Sequence, residues 1–238
     1  MLVLIVDTAG QTGGVLLAQI ESAPDGRNEV HQLDTRDLQS REFSVQLISA
    51  IADLLKKNHL TLAAVDVLAV VSGPGSFTGL RVGLSAVKAL AEATSKPIVA
   101  VSRLAVMASM AHEAEVLHAE LDAGRGEYHH GLSRDAGWTC VAESLQTLES
   151  LSASVARAPG LVVASEVSVV RALAALAPRQ IAPAGVREAL PLALAAWKAG
   201  RVSDVVSLDA NYLRRTDAEI ISKIAMATTP TAGLGTEP

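Results

Sequence analysis

Few residues in this chain have the type and spacing to do chemistry: a glycine-rich loop, six histidines, a lone cysteine and one serine at the head of a helical segment. The loop, G-P-G-S-F-T-G at 73–79, follows the apolar run Val65 to Val71 and precedes a segment of helical periodicity. That order invites a phosphate, because the free N–H groups of a helix N-terminus attract anions. The spacing argues against it. A Walker loop needs Lys after its last Gly, where Leu80 stands, and G-x-G-x-x-G needs Gly where Thr78 stands. Pro74 removes one N–H donor as well. The loop therefore reads as a structural turn that docks the helix behind it.

The histidines are His31, His59, His112, His118, His129 and His130, and no two stand four apart. His112-Glu113 opens like a zincin H-E-x-x-H, but Val116 stands where the second His belongs. His118 falls on another helix face. His129 and His130, in a strand, would point to opposite sides. No metal site is expected, and no stoichiometric Zn²⁺ or Fe. Cys140 reads as a small core residue rather than a reactive thiol. Ser76 would feel the helix dipole but has no base nearby in sequence. No catalytic residue is expected.

The element that follows the loop has three stripes. Leu80, Leu84, Val87 and Ala91 make one helix face, and Arg81, Ser85, Lys88 and Glu92 a polar one. Gly79, Gly83, Ala86 and Leu90 form the third. A Gly inside a helix costs about 1 kcal/mol against Ala, so this stripe calls for close approach of another backbone. A partner helix is the expected neighbour. The preceding helix, Phe43 to Lys57, would join it through Phe43, Leu47 and Ile51, with Ser40 or Ser44 as its cap.

In chain order, Leu2 to Val6 is a strand ending at Asp7-Thr8, followed by a Gly-rich turn and a returning strand, Val15 to Glu21. Glu29 to Thr35 adds a third strand, Ile98 to Val101 another, and Arg103 to His112 a short helix. The second half repeats this grammar. Val116 to Asp122, a turn at 123–126 and Glu127 to Leu132 form a hairpin, with Trp138 to Ala142 as third strand. Helices are predicted over Glu143 to Ala158 and Val167 to Ala177, with the strand Leu161 to Ala164 between them. Each half thus reads hairpin, helix, strand, helix, a pattern of internal duplication. The expected division is a first lobe over 1–101, a second over 102–226 whose last helix, Val186 to Lys198, packs back on the first, and a Thr/Pro/Gly-rich disordered tail over 227–238.

Composition narrows the function. Half of the 238 residues are hydrophobic, ample for a large core. A single cysteine rules out an internal disulfide and points to the cytoplasm. The run Leu2 to Val6 is too short for a signal peptide, and nothing approaches the ~20 apolar residues of a membrane span. A net charge of −5 argues against a chain that binds nucleic acid unaided. Two Phe, two Trp and two Tyr leave little for base stacking. The basic pairs Lys56-Lys57 and Arg214-Arg215 read as a solvated helix end and tail.

G-P-G-S-F-T-G-L-R-V-G at 73–83, with K-P-I-V-A-V-S at 96–102, resembles the signature of the TsaB (YeaZ) family of bacterial tRNA threonylcarbamoyladenosine biosynthesis proteins, non-catalytic homologues of TsaD. I-V-D-T (5–8), L-D-A-G-R-G-E (121–127) and Y-L-R-R-T-D-A-E (212–219) are similar to its other blocks, in the same order. One departure is Gly124, where the family pattern has Arg.

The resemblance implies an α/β, two-lobed actin-like ATPase (ASKHA, ribonuclease H-like) fold with duplicated mixed-sheet lobes. In that fold the Asp of the first hairpin helps hold Mg²⁺ and phosphate, which makes Asp7, with Thr8, and Asp122 the candidate nucleotide-side residues. The alternative, preferred without a second phosphate loop, is that each Asp caps its own turn. The resemblance further implies a scaffold that binds and stabilises TsaD, with the ATPase TsaE as third component, and that pairs with a second copy when TsaD is absent. It would have no cofactor of its own, with ATP or ADP only at the level of the complex, and tRNA would reach it only there. TsaD's metal pair, H-x-x-x-H, has no counterpart here. The rival reading is a small-molecule kinase or ATPase of the same fold, and the least favoured a glycoprotease-like hydrolase.

Overall fold

β1 (Leu2–Asp7) is buried along its whole length. An unbroken apolar run of this kind belongs in the middle of a sheet covered on both faces. A computed structural model, which describes residues 1–22, 28–111, 113–134, 139–211 and 213, places it there. β1 pairs antiparallel with β2 (Thr12–Ser22) and parallel with β4 (Val67–Gly73). β3 (Asn28–Gln39) and β5 (Ile98–Ser102) complete the order β3-β2-β1-β4-β5. α1 (Phe43–Lys57) and α2 (Phe77–Thr94) pack side by side on this sheet. α6 (Val186–Lys198) comes back from the far end of the chain to cover β1, β2 and β5.

The second sheet repeats the first. β6 (Val116–Gly124), β7 (Glu127–Arg134), β8 (Thr139–Thr147), β9 (Leu161–Ala164) and β10 (Arg179–Gln180) take the order β10-β9-β6-β7-β8, the same topology counted from β6. α4 (Leu148–Arg157) connects β8 to β9, and α5 (Val167–Ala172) connects β9 to β10. The architecture is α/β with two duplicated mixed sheets, a two-lobed actin-like, ribonuclease H-like fold.

α3 (Arg103–Ser109) joins the halves. The Ser102 hydroxyl caps it, accepting from the N–H groups of Leu104 and Ala105. Leu104 to Ala108 are all buried, because α3 touches both sheets and α6. Leu117, Ala119 and Leu121 of β6 face it and belong to the main core. The even positions of β6 face the other way, beside Val162 and Ala164 of β9 and under the smaller core of Tyr128, Leu151, Val169 and Leu173.

Several expected boundaries move. β3 runs to Gln39, and its polar sequence hides the strand because it lies at a sheet edge. The helix expected from Glu143 begins at Leu148, where the Thr147 hydroxyl caps it. Residues 143–147 belong to β8, an edge strand of the second sheet. α1 has no side-chain cap, so neither Ser40 nor Ser44 fills that role. α3 ends at Ser109 and α5 at Ala172, short of the predicted ends. Trp138, His112, the tail at 227–238 and the 212–219 block, apart from Leu213, lie outside the described residues.

Candidate functional site

The turns after β1, β4 and β9 and the end of β6 open into one cleft of about 670 Å³ between the sheets. The first lobe contributes Ala9 to Thr12, Ser40 and the Gly75-Ser76 turn; the second contributes Asp122, Ala123, His129, Ser165, Glu166 and Ser168. Arg103, at the head of α3, lines it between them. A crevice at the carboxyl ends of strands is where open α/β sheets bind ligands.

Asp7 is drawn into its own fold. Only 2% exposed, its carboxylate accepts the Ala9 N–H at 2.8 Å. Burial pushes the carboxyl above the usual carboxylate range; the Ala9 bond and the charge of Arg103 pull it back, and Glu188 pushes it up again. The folded protein therefore holds this proton at pH values where the unfolded chain has released it, and stability falls as pH rises through the folded value. Asp7→Asn keeps an acceptor for Ala9 and removes that dependence. We expect its melting temperature to match or exceed the parent's near pH 7, with a flatter profile from about pH 4 upward. Melting well below the parent at pH 7 would show that the charged carboxylate supports the fold.

Thr8 is engaged as well: its hydroxyl donates to the Gly79 carbonyl at 2.7 Å. Asp122 is exposed at the cleft, where its carboxylate accepts the Gly124 N–H at 2.7 Å and its own N–H donates to Glu166 at 3.0 Å. Both aspartates thus cap their turns. The β6–β7 turn carries Arg125 and Gly126 at φ 59° and 76°, the left-handed pair of a two-residue hairpin. Gly124 precedes them at φ 74°. A side chain would be strained at that φ, so glycine suits the site where the family pattern has Arg. The second-lobe wall, with Asp122 and Glu166, is acidic, a poor match for a triphosphate without added cations.

The stripe expected to meet a partner is turned inward. A Cβ on Gly79 would stand 2.1 Å from the Thr8 carbonyl oxygen, and one on Gly83 2.2 Å from the Thr8 hydroxyl oxygen. Close approach is the reason for both glycines, but the neighbour is the chain's own Thr8, through its backbone at Gly79 and its side chain at Gly83. Phe43, Leu47 and Ile51 are buried in the same core, at 1%, 1% and 3% exposure. Ala86 and Leu90 are half-buried against it. None of the predicted interface residues on α1 and none of the glycines of α2 presents a free surface. What α1 leaves outside is Val45 and Ile48, 79% and 56% exposed. Phe77, 42% exposed with the Arg81 guanidinium 3.7 Å over its ring, does so at the head of α2. Both helices start at the cleft edge of the sheet, after Ser40 and Ser76.

A cluster that spacing rules missed lies on the hidden face of the second sheet. His118 and Glu120 alternate along β6, and β-pairing sets His130 of β7 directly opposite Glu120. All three are buried, with potential ligand atoms within 4.8 Å of one another. His130 Nδ1 lies 2.7 Å from Glu120 Oε1, and the two rings stack at 5.3 Å. Burial pushes Glu120 well above the usual range, His118 down, and His130 down to about 4. Sequence spacing tested helical pairs and the strand neighbours His129 and His130, and so did not bring His118, Glu120 and His130 together. H-x-E on one strand was the available signal. His129 does point the other way, into the cleft.

Cys140 is half-buried, and burial with the nearby Glu143 pushes its thiol far up, the behaviour of an inert core cysteine.

Duplicated sheets around a cleft and a buried first-hairpin Asp define a protein of the actin-like, ribonuclease H-like class. The family described as "TsaD: tRNA N6-adenosine threonylcarbamoyltransferase" matches residues 37–152. The Haemophilus influenzae tRNA threonylcarbamoyladenosine biosynthesis protein TsaB is 34% identical over 123 residues, covering 50% of this chain and 52% of that one. The Escherichia coli protein of the same description is 32% identical over 132 residues, covering 54% and 53%. The chain thus spans about half the length of the curated relatives it matches. A crystal structure from Pseudomonas aeruginosa, of an uncharacterised protein with similarity to peptidase YeaZ, superimposes with a TM-score of 0.69 at 26% identity, covering 90% of this chain and 99% of that one. By these matches the chain is similar in sequence and in fold to proteins of the TsaB (YeaZ) family. Among the described residues, no helix is long and apolar enough to cross a membrane.

Proposed function

We propose that this chain serves tRNA threonylcarbamoyladenosine synthesis as a non-catalytic, cytoplasmic subunit that binds and stabilises the catalytic relative TsaD, with TsaE as third component. The observation that carries this reading is the state of the first hairpin. Asp7, where an actin-like ATPase would hold Mg²⁺ and phosphate, is buried and closed onto Ala9, and Thr8 is closed onto Gly79. In this reading the chain has no catalytic cofactor of its own, nucleotide acts at the level of the complex, and tRNA is met only there.

The partner surface moves from the predicted residues to their outward neighbours, Val45 and Ile48 on α1 and Phe77 on α2. Without TsaD the same surface pairs two copies. The test is co-purification of TsaD and TsaE from the cell's own extract, with ATP turnover measured on the isolated chain. Val45→Glu with Ile48→Glu should weaken TsaD binding about tenfold or more, as lost central contacts do, while melting stays within about 0.5 kcal/mol of the parent, as exposed sites allow. Undiminished binding moves the interface elsewhere. Steady ATP turnover by the chain alone, lost in Asp122→Asn, favours the kinase or ATPase reading instead.

A further inference from the structure

We propose that His118, Glu120 and His130 form a buried binding site for one divalent transition-metal ion of the zinc class inside the second lobe. The three side chains are 0%, 0% and 3% exposed, and their donor atoms converge within 4.8 Å. His118 Nε2 lies 2.7 Å from the Ala158 carbonyl oxygen. A carbonyl only accepts, so Nε2 carries the proton and the lone pair sits on Nδ1. That Nδ1 is buried with no hydrogen-bond partner in the protein, and so is Glu120 Oε2.

A ligating histidine has this arrangement: one ring nitrogen donates to a backbone carbonyl and fixes the tautomer, and the other is free for a metal. The purely structural account, an ion pair of Glu120 with His130 and a stacked His118, leaves both orphaned atoms unexplained. Buried polar atoms in folded proteins are normally satisfied. A metal ion satisfies both. Two imidazoles and a carboxylate are a donor set that takes Zn²⁺, with water or the second carboxylate oxygen completing the shell. Mg²⁺ and Ca²⁺ prefer all-oxygen shells and fit poorly.

The ion would clamp β6 to β7 and, through Ala158, to the end of α4. It lies on the strand that carries Asp122 but on the face away from α3. Its role is to hold the second sheet together, and it stands whether or not the partner reading does.

The full chain is unfolded in denaturant with chelator and refolded with or without Zn²⁺; free metal is then removed and bound zinc measured. We expect about one zinc per chain, as a three-residue site would hold, and a higher melting temperature with it, because a ligand of the native state stabilises that state. Glu120→Gln and His118→Gln should lower zinc affinity about tenfold or more. His31→Gln, at an exposed residue 3.7 Å from Glu29, should keep it. If the variants fail to fold, Co²⁺ in the parent decides: strong visible bands of a nitrogen-and-oxygen site support the proposal, and the weak spectrum of aqueous Co²⁺ overturns it. Zinc well below stoichiometric with unchanged melting also overturns it, as does zinc lost with His31→Gln and kept in Glu120→Gln.

Discussion

Gly79→Ala is expected to cost more than about 3 kcal/mol, although alanine is the better helix former by about 1 kcal/mol. The clash decides the sign. The new Cβ would stand 2.1 Å from the Thr8 carbonyl oxygen, an atom of the backbone at the end of the central strand. Relief would require α2 to lift from β1, which opens the core around Leu80 and Leu84. Gly83→Ala should cost less, about 1–3 kcal/mol. There the obstruction is the Thr8 hydroxyl, 2.2 Å away, which can swing aside if it gives up its bond to the Gly79 carbonyl. The two sites are separated by combining each with Thr8→Ala. Removing the hydroxyl should restore much of the loss at Gly83, where the next atom is 3.4 Å away, and little at Gly79. Urea unfolding of the single and double variants measures both terms. If Gly79→Ala and Gly83→Leu instead melt like the parent and lose only TsaD binding, the glycine stripe faces outward and the packing described above is wrong.

Leu104→Ala should lower stability by about 2–5 kcal/mol, the range for a buried leucine whose site cannot collapse. Leu104 is fully buried, and α3 lies so close to β7 that a Cβ on Gly131 would stand 2.8 Å from the Leu104 Cβ. The helix also touches β4, β5 and α6, so the cavity opens between the two sheets rather than within one. The expected result is one urea transition for the whole chain, displaced to lower midpoint with an unchanged slope, since the surface exposed on unfolding stays the same. Two separated transitions would show that α3 does not couple the lobes.

The central strands, both long helices of the first lobe and the duplicated order of elements were legible in the sequence. They are the places where one physical demand dominates. β1 and β4 are buried on both faces and read as unbroken apolar runs; α2 buries Leu80, Leu84, Val87 and Ala91 and shows their 3.6-residue period. The edge strands β3 and β8 were only half legible, because a strand exposed on one side needs little apolar sequence.

Which way a stripe faces was left to the tertiary structure. Gly79 and Gly83 announce a close neighbour, and period alone cannot say whether that neighbour is a partner's helix or the chain's own Thr8. The apolar breadth of α1 has the same ambiguity: Phe43, Leu47 and Ile51 go inside, and Val45 and Ile48 stay out. The convergence of His118, Glu120 and His130 needed the β6–β7 register, which pairs residues ten apart across a hairpin; a one-residue slip would turn one strand's side chains to the opposite face. Local sequence sets the periods and the turns. Contact across the fold decides what each face meets.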